Sequence, residues 1–456
     1  MKLVLRLGLL LCSMAIWTNC GGTYRPVIIP NPPAFPDPRA AHTVFSLNDN
    51  GGSRGSGMVT DVSGDSDVSV ADMGIAPVHA VQQTASQVLV VNSPDPKALA
   101  ESLTKVTFSG VSISSTSTIT LPPGSAPNFV AATESSTAYV SLPGFTPPSV
   151  GVVSTQSNVL LATIPVGNNP MAIAETPNGK KLYVANQGSN TVSSINTIDR
   201  SKNADITADV HAPVWATTRS DSQRLYVLSG DGTLATFDTT NGDAEITGKP
   251  VPNVGAGATH IVYDVRLNRL YVPRSDLGSG AAQVTVLDAS QSQAQILATV
   301  AIPTILPSAR SAQDPCSTTT AATSLNVVTA AALPDESRAY VGAYYTDDAG
   351  NICPQVTVIN TSGSTIKVSF PVPGFPGFAP YPAPICQTTR FRFSMVAGGD
   401  SSRVYLASCD AGNVNIIRTS DDTYLLNLPE PASVRSPIPP SNQPPPQSPV
   451  FLIAGP

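Results

Sequence analysis

A four-residue pattern recurs along this 456-residue chain and constrains its fold more than any other feature. Lys181-Leu182-Tyr183-Val184 returns as Gln87-Val88-Leu89-Val90, Thr137-Ala138-Tyr139-Val140, Arg224-Leu225-Tyr226-Val227, Arg269-Leu270-Tyr271-Val272, Arg338-Ala339-Tyr340-Val341 and Arg403-Val404-Tyr405-Leu406. Counted from residue 89, successive steps are 50, 44, 43, 45, 69 and 65 residues. A period of about 40–45 residues is the length of one four-stranded propeller blade, and the two long steps imply insertions. Between the copies lie hairpins such as residues 285–299 and 357–368, whose apolar residues alternate about a polar turn and add two strands to each unit. One unit then reads as an inner strand after a Pro, the Tyr-Val strand and an outer hairpin. Such a sheet alone leaves both faces uncovered; stacking neighbours buries them, and closing the ring removes the two unpaired ends.

Composition agrees. Forty-three Pro and 33 Gly rule out long helices and coiled coils, while 41% hydrophobic residues suffice for a core. Twenty-five basic against 31 acidic side chains, with no basic cluster, exclude a nucleic-acid partner, whose phosphates require a row of Lys and Arg.

The most explicit unit, Val166 to Ile198, holds three β-prone segments separated by Pro-Asn-Gly and Gly-Ser-Asn turns. It closely resembles the YVTN-type β-propeller repeat family of bacterial surface proteins, and the periodicity extends over about residues 43 to 428. No unit pairs Gly-His with Trp-Asp, so the chain does not resemble the WD-type propellers. The expected fold is all-β, a propeller of four-stranded blades. Seven complete units run from Ala76 to Pro429. Before them, residues 42–47 read as a Tyr-Val-type strand and residues 58–71 as an outer hairpin, a set that lacks an inner strand. The C-terminal residues 449–454 could supply it, giving an eighth, composite blade that joins the two ends. The alternative is seven blades with a displaced N-terminal hairpin.

Residues 1–19 carry Lys2, Arg6 and a short apolar run, too short to span a membrane, and are expected to be a signal peptide. Cys20 follows it, as in the bacterial lipoprotein signals this segment resembles, which implies acylation at Cys20; simple secretion is the alternative. Residues 20–41, rich in Pro, read as an extended tether, and residues 42–456 as the propeller. The expectation is a membrane-anchored envelope lipoprotein, outer membrane or periplasm favoured.

Beyond the signal segment and Cys20, four Cys in an exported chain suggest two disulfides, of which three pairings exist. In the repeat frame Cys316 lies in the loop entering the Tyr340 unit and Cys353 in the hairpin after its Tyr-Val strand; Cys386 and Cys409 hold the same two places in the next unit. The economical pairing is Cys316 with Cys353 and Cys386 with Cys409. Neither a catalytic Cys nor a zinc site is expected, because no Cys has a His nearby in the frame and no Cys-x-x-Cys occurs.

One repeat position, two residues after the Pro that opens the inner strand, carries His79, Phe129, Ala172, Trp215 and His260. Equivalent positions share one height in a ring, so these side chains are ligand-binding candidates at one end of the channel, together with Arg390 and Arg392. They suit a small anionic or sugar-like ligand, or they simply fill the channel. Asp61, Asp65 and Asp67 have calcium-loop spacing but lack its Gly and closing Glu, and read as a polar turn. Residues 229–233, Ser-Gly-Asp-Gly-Thr, also read as a turn, since no helix follows to cradle a phosphate. No Gly-x-Ser-x-Gly or His-Glu-x-x-His occurs. No cofactor or bound metal is expected. The leading reading is a binding scaffold for an envelope protein or glycan. The second is a metal-dependent hydrolase like the lactone-hydrolysing propellers that the fold resembles, with Glu175 and Asp264 as the nearest carboxylates. The third is a purely structural part of an envelope assembly, covered at its edges rather than on one face.

Overall fold

The computed structural model of the chain describes residues 43–93, 101–133, 136–246, 250–275, 282–317, 324–376, 386, 389–434 and 443–455. The signal-like residues 1–19, Cys20 and the tether 20–41 lie outside the described residues. Eight antiparallel sheets stand around one axis as the blades of a propeller. Blade 1 joins the two ends of the chain: Thr43–Asn50, Ser53–Asp61 and Ser66–Ile75 take their inner strand from Ser448–Ala454. Val44 faces Ala454, Phe45 faces Ile453 and Leu47 faces Phe451 across that seam. The composite eighth blade is therefore present, and the N-terminal hairpin is not displaced. Blades 2 to 8 occupy residues 77–120, 130–165, 170–196, 213–245, 262–301, 326–371 and 393–429. Among the described residues no helix is long and apolar enough to cross a membrane.

Burial grades outward along each blade. The second strand Arg224–Ser229 buries every residue but the first, while the outer strand Val159–Pro165 alternates between exposed and covered positions. Second strands are covered on both faces by neighbouring blades, which is why they read as near-continuous apolar runs.

The Lys/Arg-x-Tyr signature has a specific use: it clasps one blade to the next. Tyr183 donates to Asp243 of blade 5 at 2.6 Å, and Lys181 and Ser194 of blade 4 donate to the same carboxylate at 2.7 Å each. Arg338 and Tyr340 of blade 7 both donate to Asp422 of blade 8. Arg403 of blade 8 meets Asp65 of blade 1 at 2.8 Å, which carries the clasp across the closing seam. Blade 5 does the same with main chain, Tyr226 donating to the Ala289 carbonyl of blade 6 at 2.9 Å. Each accepting Asp sits at a left-handed hairpin corner, with φ of 47° at Asp65, 60° at Asp243 and 55° at Asp422; Asp is among the few non-Gly residues that tolerate this region. The Asp61–Asp67 segment is thus a turn, as its residues suggest.

Blade 4, which carries the clearest repeat, departs from the four-strand plan. Beyond Thr191–Asn196 it has no fourth strand, only isolated bridges of Val192 with Ile206 and Ile195 with Lys202. Residues 199–205, Asp-Arg-Ser-Lys-Asn-Ala-Asp, have no apolar alternation to lay on a sheet face. Instead Asp199 accepts from the amide of Ser201 at 2.9 Å and Lys202 pairs with Asp205 at 3.0 Å.

Strand register defines two faces. Pro77 pairs with Asn92 and Asn92 with Ser102, so starts of inner strands, ends of second strands and starts of third strands share one face, called here the entry face. Both disulfides, Cys316–Cys353 and Cys386–Cys409, lie on it in the expected pairing. Blade 7 also rises above it. Its second and third strands, Arg338–Thr346 and Asn351–Asn360, have 9 and 10 residues where blade 5 has 6 and 5; three extra residues extend a strand by about 10 Å. Buried Arg310 stitches the inserted loop beneath this hairpin, donating to the carbonyls of Val372 at 3.0 Å and Pro354 at 2.9 Å and pairing with Asp314 at 3.2 Å.

Candidate functional site

The residue after each left-handed corner sets the height of the channel site. Ala76, Ala126, Asn169 and Ala212 have φ between 45° and 51°, and each is followed by the Pro that opens an inner segment. In blades 2, 4 and 5 the ladder then slips, between Pro77 and His79, Pro170 and Ala172, and Pro213 and Trp215. A bulge of this kind re-aims the side chain that follows it. Phe129 and His260 stand just ahead of their strands, Val130–Ala131 and Val262–Asp264, rather than inside them.

The rings meet. His79 stacks on Phe129 with centroids 3.8 Å apart, Phe129 meets Trp215 at 5.4 Å, and Trp215 meets His260 at 5.8 Å. Phe391 closes on His260 at 5.5 Å, Phe451 on Phe391 at 4.9 Å, and Phe451 returns to His79 at 4.8 Å. Six rings therefore form a closed circuit across the channel, with one pair stacked, two tilted and three edge-on. Ala172, fully buried, is the small member of the set.

Arg390 lies over this circuit. Its guanidinium stands 4.7 Å from the Trp215 ring and donates to the carbonyls of Met171 at 2.6 Å, Val214, and Thr259 at 2.8 Å. A residue of the loop entering blade 8 is thereby fixed to blades 4 and 5 and to the loop entering blade 6. Burial, with the Arg390 charge second, lowers both His79 and His260 to about 3, so both imidazoles are neutral. Burial lowers Arg390 itself only to about 10, and it remains a cation at neutral pH. The Nδ1 of His79 accepts the Val130 amide at 3.4 Å, which places the ring proton on Nε2.

Arg392 does not join the cluster. It pairs with Asp410 at 2.6 Å and lies over Tyr344 at 5.2 Å. Conversely, Phe391 and Phe451 complete the circuit without having been singled out in the sequence. Phe391 was signalled by its place between two chosen arginines, and Phe451 by its position on the strand that closes blade 1.

The carboxylates nearest in sequence are turned to main chain. Glu175 accepts the Thr133 amide at 2.8 Å, and Asp264 accepts those of Arg266 and Leu267 at 3.0 and 3.2 Å. His79 and His260 face aromatic rings and, among the described residues, share no carboxylate. Among the described residues, the one cluster of three His, Cys, Asp or Glu ligand atoms is Cys316, Asp347 and Cys353, whose thiols are joined as a disulfide. A separate cavity of about 840 Å³ lies away from the channel, where blades 4 and 5 lack regular outer strands, and Asn203, Asp243 and Glu245 help to line it. Burial, then hydrogen bonding and repulsion from Asp209, raises Glu245 there to about 7.

No family model matches the chain, and no curated protein matches its sequence. Solved structures do match its shape. The dihydro-heme d1 dehydrogenase NirN, solved in complex with DHE, aligns with a TM-score of 0.61 at 11% identity, over 93% of this chain and 77% of that one. Apo AztD from Citrobacter koseri aligns at 0.54 and 11% identity, over 91% and 98%. A functionally unknown protein from Desulfotomaculum acetoxidans aligns at 0.51 and 14% identity, over 71% and 94%. At these identities the likeness establishes the propeller fold alone.

Proposed function

We propose that this chain is a lipid-anchored propeller of the bacterial cell envelope, of the YVTN repeat type, that binds a protein or glycan partner through its entry face. The observation that carries this reading is asymmetry between the two faces. Both disulfides, the raised blade 7 hairpin and the aromatic channel cluster with Arg390 lie on the entry face. A closed ring holds these features on rigid elements, which lowers the ordering cost of binding. Anchoring at Cys20 through the 20–41 tether supplies the attachment, with the outer membrane or periplasm as its place. The NirN and AztD structures differ from each other in name and ligand, and no activity passes from them to this chain at such identity. The scaffold reading is preferred to metal-dependent hydrolysis because the channel imidazoles pack against rings and the nearest carboxylates serve backbone amides.

Two measurements test it. Intact mass of protein from the host membrane fraction should show a chain beginning at Cys20 with acyl groups; an unmodified Cys20 removes the anchor from the proposal. A photo-crosslinking residue at exposed Ala349, on the entry face, should capture a partner in the host envelope and be competed by added purified chain. The same residue at exposed Ser362, on the opposite face, should capture none. Equal capture from both positions would favour a structural assembly part covered on all sides.

A further inference from the structure

Among the described residues, the cation at the channel mouth lacks a counter-charge. Arg219, Arg224, Arg310, Arg338, Arg392, Arg403 and Arg418 each meet an Asp. Arg390 forms no ion pair among the described residues, and residues 372–392, the loop that carries it, contain no Asp or Glu. Its three hydrogen bonds go to neutral main-chain carbonyls, and its Nε, one of five N–H donors, has no partner among the described residues. Carbonyls and the Trp215 face fix the guanidinium in position without cancelling its charge. The two neighbouring imidazoles are neutral and contribute no opposing charge. The result is a half-buried, pre-positioned positive charge ringed by apolar faces, where an arriving anion meets weaker screening than in water.

We infer that the channel mouth is a carboxylate-binding subsite, with Arg390 holding the anion and the half-buried Trp215 ring packing against its aromatic or apolar carrier. A carboxylate suits this guanidinium through a single oxygen: both Nη2 protons go to the Val214 and Thr259 carbonyls, Nε is buried, and one Nη1 proton remains beside the Met171 bond to donate. A doubly charged phosphate suits it less, since one positive charge cannot replace the water that such an ion gives up. The carboxylate belongs either to a small free acid or to the C-terminus of a polypeptide. This inference rests on the entry face being the binding face.

Of the two Trp, Trp17 lies in the signal segment, so the chain proposed to begin at Cys20 has Trp215, beside Arg390, as its sole reporter. Titrating this full chain with benzoate should change Trp215 emission saturably, with neutral benzamide at least tenfold weaker and added salt weakening benzoate alone. Arg390→Gln should abolish the benzoate response, and Arg390→Lys should retain part of it, with circular dichroism confirming the fold of each. A short apolar peptide with a free C-terminus, compared with its amidated form, separates the two sources: preference for the free peptide over benzoate assigns a polypeptide terminus, and preference for benzoate a small acid. Equal responses to benzoate and benzamide in the unsubstituted site would overturn the inference without any variant, as would a folded Arg390→Gln protein that binds benzoate unchanged. Crosslinking from Ala349 that persists despite a failed titration would sink the subsite and leave the entry-face reading standing.

Discussion

Glu430 closes the seam of the ring from inside. It is buried, and its Oε2 accepts from Asn48 at 2.6 Å and Ser46 at 3.2 Å, both on the first strand of blade 1. Burial raises it to about 8, against smaller opposing effects from these donors, so at neutral pH it is mostly the neutral acid. Because its folded-state value lies above its unfolded value, its contribution to stability is complete below about pH 4.5 and is lost as pH rises through about 8. Glu430→Gln should therefore flatten the fall in Tm between pH 5 and 8, with a gain on the order of 4 kcal/mol at the alkaline end; thermal melts across that range would show it, and an unchanged slope would refute it. Asp243→Ala leaves Lys181, Tyr183 and Ser194 without their shared acceptor and should cost about 2–4 kcal/mol in chemical denaturation. Asp421→Asn breaks a pair exposed to solvent and should leave Tm unchanged.

At the scale of the element, the inserted loops are held by covalent links that span 37 and 23 residues. In the chain-entropy view each restricts the unfolded chain by about 3–4 kcal/mol. Replacing Cys316 and Cys353 together by Ala should lower stability by about that amount and raise hydrogen exchange most in the Arg338–Thr346 and Asn351–Asn360 hairpin. Exchange spread evenly over all blades would contradict the local role. The two pairings were readable from the repeat frame, since both pairs occupy the same two places in successive units. The missing outer strand of blade 4 was less visible. Its polar run at residues 199–205 marks the break, but the flanking Tyr-Val strand is the clearest of all and invites the complete four-strand pattern.

For the whole molecule, closure depends on Ser448–Ala454 filling the inner position of blade 1. Truncation after residue 447 leaves the Thr43–Asn50 edge unpaired, and an open apolar edge templates association. The truncated chain should lose its single cooperative melt and self-associate, and a synthetic peptide of residues 448–455 should restore the monomer by sedimentation. A truncated chain that stays monomeric with an unchanged melt would show that the seam is dispensable.

The all-β class, the blade length and the disulfide frame were determined by the sequence itself, because they are periodic and a period survives without coordinates; the composite seam was one of two readings until Thr43–Asn50 paired with Ser448–Ala454. The shared height of His79, Phe129, Trp215 and His260 was legible from the same period. Tertiary structure decided what those positions do together. Whether equivalent residues line an opening or touch across it depends on the channel width and on what reaches in from elsewhere, and neither is periodic. Phe391 and Arg390 arrive on an insertion and Phe451 on the closing strand, so six rings pack into one circuit while Arg392, two residues from Arg390, turns to Asp410 instead. Likewise, the basic residue two before Tyr183, Tyr340 and Tyr405 meets an Asp on the next blade, as with Asp243, 60 residues from Tyr183. Local pattern records such a contact, but the fold supplies the partner.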